Sequence, residues 1–358
     1  MTSLQSQVRD LALPSDTLGW RGVFGLGLIS LALYLSGLLV WLTPLPVLYA
    51  YRKGGMLKSL VAVLIPTALL WLVYEGLVPY FSENYGAEQA LKFFFWVPGL
   101  GLASPGSTWN PAIFGIVYYL FFALLGVLLG EFEPQPYRMT RLVGQTAGFV
   151  GVCLLSWLLL YTAGHWTAFV QGLEAYFVRL LEEVSKVPPG NEEMELQWSL
   201  IRSNAPSIAF YAVRLLPAMI FNMLIFVVWL NVVVSRRLFG AKAAWFPSVG
   251  NLHRWRFPFA GVWVLIGFAL LLALDIYVVK GEVLKLLAIN AFLVFGLVYL
   301  FQGLAIVAFY LGRWNLSPML RLLFYSILVL FFQPLSFLLV AFGFFDSWFD
   351  FRRLQKKE

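Results

Sequence analysis

Apolar residues run along this chain in long blocks separated by short polar stretches. The blocks fall at residues 22–41, 60–80, 112–130, 144–161, 208–234, 259–279, 284–311 and 318–345. A bilayer core about 30 Å thick takes roughly 20 apolar residues in helical form, so each block predicts a membrane-spanning helix. Lipid offers no partner for a backbone amide, which leaves helices as the structure for runs of this length. The predicted fold is all-α, a polytopic transmembrane helical bundle of about eight spans.

The polar punctuation refines that pattern. Thr43-Pro44-Leu45-Pro46 breaks or turns the first helix and predicts a half-span over residues 38–51. Gly54-Gly55 between Arg52, Lys53 and Lys58 predicts a tight basic turn. Residues 93–102 are apolar but too short to cross, and they run into Ser104-Pro105-Gly106-Ser107, so an interfacial or re-entrant piece is expected. Gly144 and Gly148, with Ala147 and Gly151 nearby, predict close approach of a neighbouring helix.

Residues 164–206 form the one long hydrophilic segment. Within it Phe169, Leu173, Phe177, Leu180, Leu181 and Val184 recur at helical spacing, opposite Glu174, Arg179, Glu182 and Glu183. This is an amphipathic extramembrane helix, expected to cap the bundle because Lys and Arg do not dominate its polar face. Pro188-Pro189-Gly190 ends it, and Glu192, Glu193 and Glu195 follow. The domain reading is a polar segment at 1–21, one bundle over 22–345 that includes the 164–206 insertion, and a basic tail at 346–358. The first apolar block is too long for a removable signal and reads as a retained span.

Composition supports a membrane setting. Of 358 residues, 61% are hydrophobic and 12% charged, against about 25% charged in a soluble domain. The net charge of +7 would suggest nucleic acid in a soluble protein. Here the cations lie in loops, where the positive-inside effect and anionic lipid account for them. The expected partner is the lipid bilayer, with no nucleic acid. The basic loops near residues 52–58, 138–141 and 236–256 fall on one side if the spans alternate, and the same count sends Arg352, Arg353, Lys356 and Lys357 to the other. Cys153, alone in its kind, reads as a small core residue.

Ionisable groups at membrane depth cost about 2.5–3.5 kcal/mol on insertion scales, so each requires a reason. Arg214 stands about two turns into its block beside Pro217, whose missing amide frees the Val213 carbonyl. It either lines a charged cavity or pairs structurally near the interface. Glu75 and Asp275 lie near block ends, where interfacial solvation suffices. Asn222, Asn231, Asn290, Gln302 and Gln333 are uncharged hydrogen-bonding groups inside blocks. Tyr299, Gln302 and Gly303 share one helix face, suited either to a ligand or to helix-to-helix adhesion. At the chain's close Asp346 and Asp350 are four apart and Arg353 follows three later, an intrahelical ion-pair ladder if the helix continues, with Trp348 and Phe349 in the interfacial belt.

No Gly-x4-Gly-Lys-Ser/Thr loop is present, so ATP hydrolysis by that route is excluded. Nothing suggests a Ser or Cys dyad, a metal site or a cofactor, and no enzyme is expected. The halves show no repeat of the kind that builds inverted-repeat transporters.

The Pro44-x-Pro46 step, Leu216-Pro217, Trp255-Arg256-Phe257-Pro258, Gln302-Gly303-Leu304-Ala305-Ile306-Val307 and the terminal Asp346-x-Trp348-Phe349-Asp350-Phe351-Arg352 resemble the YybS-like family of uncharacterised bacterial membrane proteins. That family is distantly similar to the substrate-binding subunits of energy-coupling-factor transporters. The resemblance implies the bacterial inner membrane, a small-molecule ligand, and a transmembrane scaffold with ATPase subunits as partners. On the solute-binding reading the candidate residues are Arg214 for a carboxylate or phosphate, Asn222, Asn290 and Gln302 for orientation, and Tyr299 for stacking. The alternative is a non-transporting scaffold that assembles other envelope proteins through the amphipathic segment and an interaction motif of Asp346, Trp348, Asp350, Arg352 and Arg353.

Overall fold

A computed structural model describes residues 18–86, 111–131, 139–162, 164–186, 190–239 and 252–353. The apolar piece at 93–102, the serines at 104 and 107, Arg138, the Pro188-Pro189 stop, residues 240–251 of the basic loop, Lys356 and Lys357 lie outside the described residues, as does most of the polar segment at 1–21. All regular structure among the described residues is helical. Among the described residues six helices are long and apolar enough to cross a bilayer, and three shorter apolar ones accompany them. Tertiary contacts gather the chain into two compact units, Met1–Thr146 with Ile225–Val249 and Ala147–Leu224 with Gly250–Glu358.

In the first unit, α1 (Trp20–Leu35) stops well short of the end of its apolar block. Gly37 turns the chain at φ +67°, and a 3₁₀ turn, Val40–Leu42, precedes Pro44. Prolines at the first positions of α2 (Pro44–Leu72) fit because the first helical amides have no partner to lose. Inside α2 the backbone breaks at Gly55, φ +78° and ψ −179°, which only glycine adopts cheaply. This is the tight basic turn expected there, with a short helical piece before it as the half-span pattern predicts. Ala50 and Ala62, on either side of the break, are buried with Val23 of α1 in one core cluster. A π-turn, Val73–Leu77, leads into α3 (Val78–Tyr85), and α4 (Pro111–Glu131) packs along α2.

Two helices contribute to both units, α5 (Met139–Thr162) and α7 (Glu192–Phe239). Gly144 and Gly148 of α5 face open space instead of a close neighbour, and Gly151 touches the Phe221 ring at 3.4 Å. Cys153 is exposed, not in the core.

The second unit adds α6 (Trp166–Val184), α8 (Ala260–Leu274), α9 (Glu282–Arg313), α10 (Pro318–Leu330) and α11 (Phe332–Phe349). Asp275, expected in interfacial water, is buried. It closes the α8–α9 turn, accepting the Lys280 amide on its carbonyl at 2.7 Å and the Gly281 amide on Oδ1 at 2.9 Å. The apolar block 318–345 is two helices, not one. Pro334 carries no amide and its ring clashes with the carbonyl four residues back, and that residue is Leu330, the last of α10. Helix α11 crosses α9 at two glycines: a Cβ on Gly303 would collide with the Leu339 carbonyl, and one on Gly343 with the Tyr299 carbonyl. Bare backbones in contact give that crossing its closeness.

Candidate functional site

The residues of the terminal motif gather with two segments far from them in sequence. The loop at 252–257 leads into α8 and Gln302 projects from mid-α9, while Asp346 lies on the last turn of α11. Asp350 adopts φ +41° and ends the helix, so the intrahelical ladder with Arg353 does not extend. The chain instead doubles back and brings Arg352 inward. Its Nη2 donates to Asp346 Oδ2 at 2.8 Å, and its Nη1 donates to the carbonyls of His253 and Trp255, both at 2.9 Å. Both side chains of this ion pair are fully buried.

Arg256 completes the enclosure. It donates to the Asp346 carbonyl, with Nε 3.9 Å from Asp346 Oδ2 and Nη1 3.6 Å from Asp350 Oδ1. Gln302 spans the gap between loop and helix, accepting the Phe257 amide on Oε1 at 3.0 Å and donating from Nε2 to Asp346 Oδ2 at 3.2 Å. Tyr299 is enclosed by its own chain, its ring centroid 5.9 Å from Phe257 and 5.2 Å from Phe344. Trp348 and Phe349 are exposed, and the Trp348 ring also lies 4.8 Å from Phe344. Arg353 is also exposed.

This arrangement decides where the tail lies in the second unit. Arg352 holds the 253–255 carbonyls, so the end of α11 stands beside the basic loop before α8. Alternating the blocks placed it opposite. The break at Leu330 divides the 318–345 block into a short apolar helix and one candidate span.

A second polar seam joins α7 to α9. Arg214, Ala218 and Asn222 are spaced by four on one α7 face. The Asn290 amide bridges the ladder next to the Pro217 disruption, donating to the Arg214 carbonyl at 3.0 Å and accepting the Ala218 amide at 3.1 Å. Asn222 donates to the Leu293 carbonyl at 3.0 Å. The Arg214 guanidinium pairs with Glu174 of α6, donates to the Phe210 carbonyl at 3.1 Å and lies 3.3 Å from the Phe210 ring centroid. Glu174 is therefore on the half-buried face of the amphipathic helix, not opposite it. Farther along, Arg202 donates to the Ser185 carbonyl at 3.0 Å. Lys186 donates to Glu183 at 2.6 Å, and that hydrogen bond holds its ammonium pKa above the usual lysine range.

The two seams are separate. Twelve residues of helix from Asn290 to Gln302 amount to about 18 Å at 1.5 Å per residue. Arg214, Asn222 and Asn290 are brought together, and Tyr299 and Gln302 meet the interaction motif instead.

Residues 101–347 match a protein family described as "Predicted membrane protein (DUF2232)". The chain belongs to this family. No curated protein and no solved structure matches it. The DUF2232 match includes Arg214, Arg256, Gln302 and Asp346 and stops before Asp350 and Arg352.

One polar cluster escaped the sequence analysis. In the first unit Tyr34 donates to the Gly115 carbonyl at 2.6 Å, and Ser30 donates to the Thr43 carbonyl at 3.1 Å and lies 3.3 Å from the Tyr119 hydroxyl. Asn231 donates to the Trp41 carbonyl at 2.7 Å. Ser30 and Asn231 serve carbonyls around the break after α1, for which the prolines at 44 and 46 were the signal, while Tyr34 serves a carbonyl of α4.

Proposed function

We propose that this DUF2232 protein is a non-enzymatic scaffold of the bacterial inner membrane, which assembles other envelope proteins. The observation that carries the reading is the use made of the intramembrane polar groups. Arg214, Asn290, Gln302, Asp346 and Arg352 each bond to the protein's own backbone or to one another. A solute site needs polar groups left convergent and available. The bonds these groups make join helices to one another, while Asn222 Oδ1, Tyr299 Oη, Asp346 Oδ1 and Arg352 Nε are buried without a hydrogen-bond partner among the described residues. The exposed members of the terminal motif, Trp348 and Phe349, then offer contact area to a neighbour while the charged members fix the segment that displays them.

The test is gentle purification of the full chain followed by mass spectrometry for both proteins and small molecules. A protein partner at fixed stoichiometry, lost on Trp348→Ala with Phe349→Ala, supports scaffolding. A small molecule retained at one per chain and lost on Arg214→Ala overturns it. Co-purification of a transmembrane subunit with an ATPase pair would also overturn it, in favour of the substrate-recognition subunit that the resemblance to energy-coupling-factor proteins implies.

A further inference from the structure

The first unit carries a shallow, open surface groove of about 680 Å³ between α2 and α4. Its walls include Leu64, Trp71 and Leu72 of α2 and Ile113 and Val117 of α4. Thr67 also lines it, but the hydroxyl donates to the Val63 carbonyl at 2.8 Å and is spent within the helix. Both walls lie in apolar helices, and the α2 wall belongs to a candidate membrane span. Hydrocarbon is the chemistry available at that depth and the one this lining accepts.

Glu75 follows Trp71 by four residues and Leu72 by three, in the π-turn Val73–Leu77 that continues α2. It is exposed. Among the described residues it has neither a hydrogen bond nor an ion pair. A carboxylate one turn beyond an apolar groove repels a phosphate-only headgroup and attracts an ammonium. Single-turn π segments are frequent at functional positions in helices.

We propose that the α2–α4 groove holds one acyl chain of an aminophospholipid, with the headgroup ammonium on Glu75. The assignment stands apart from the scaffold reading, since either can fail alone. The probe is phosphatidylethanolamine carrying a diazirine in one acyl chain, in phosphatidylcholine nanodiscs with the purified full chain. After irradiation, peptide mapping should place adducts on residues 64–72 and 113–117, displaced by unlabelled phosphatidylethanolamine. Glu75→Gln should lower that labelling about five-fold, the equivalent of about 1 kcal/mol for an exposed ion pair. Ala68→Phe should fill the groove and remove the adducts, with the Glu75→Gln result standing alone if that variant does not fold. Equal labelling by the phosphatidylglycerol analogue overturns the proposal. Labelling no denser than at exposed α10 residues such as Leu322 and Val329, or cross-links there to a second copy of the chain, also overturns it.

Discussion

Replacing Asp346 by alanine removes the anion at the centre of the second unit's network. The carboxylate is 2.8 Å from Arg352 Nη2, with both side chains fully buried. Coulomb attraction at that distance is about 6 kcal/mol with an effective dielectric of 20. The net effect is smaller, because ionisation in the protein interior carries its own desolvation cost. Breaking a buried pair from one side costs about 3–5 kcal/mol, since the surviving charge has no counter-ion. Here Arg352 is left without its anion, Arg256 keeps Asp350 at 3.6 Å, and Gln302 loses its acceptor. Arg352→Met should cost a similar amount, because it takes the arginine's donors from the His253 and Trp255 carbonyls and the nearest cation from Asp346. The double variant should fall short of the sum by about 2–3 kcal/mol, the coupling expected of residues in one network. The measurement is reversible unfolding of the full chain in mixed micelles by SDS titration, followed by far-ultraviolet circular dichroism. Singles below about 1 kcal/mol, or a double that is additive within about 0.5 kcal/mol, would refute the reasoning.

Gly303→Val should destabilise by at least about 1–3 kcal/mol, the usual cost of overpacking, because its side chain meets the Leu339 backbone; the same titration checks it, with Gly296→Val at an open position as control. Tyr34→Phe removes a second donor from the Gly115 carbonyl, which α4 itself also bonds, and should cost about 0.5–1.5 kcal/mol, read from the SDS midpoint. Arg214→Ala should leave the spans inserted and expose the α6 segment to limited proteolysis. Its pair with Glu174 is about a quarter exposed on each side, which limits the loss to about 1 kcal/mol.

Residence in the membrane was legible because twenty-residue apolar runs admit little else. The broken helix at Pro44 and Gly55 was legible too, since proline and glycine act through local geometry. The division after Leu330 was written in Pro334, but the apolar character of 318–345 hid it, because hydropathy does not register a lost amide. Partners were harder. Glu174 reads as solvated on a helical wheel, and its place against Arg214 depends on how α6 settles on α7. The terminal motif showed which residues belong together; that Arg352 serves carbonyls about a hundred positions earlier could not follow from spacing. Backbone carbonyls carry no sequence signature, and in both units they take much of the polar side chains' capacity.

That separation in sequence bears on how the protein is made. The carbonyl of His253 receives its donor from a residue 99 positions later, which at about 5–20 residues per second is on the order of 5–20 s of translation. Throughout that interval the loop ahead of α8 must be satisfied by water or lipid headgroups while α8 and α9 enter the bilayer. The second unit is therefore sealed late in synthesis, and nascent chains shorter than this reach should be the forms that membrane proteases remove.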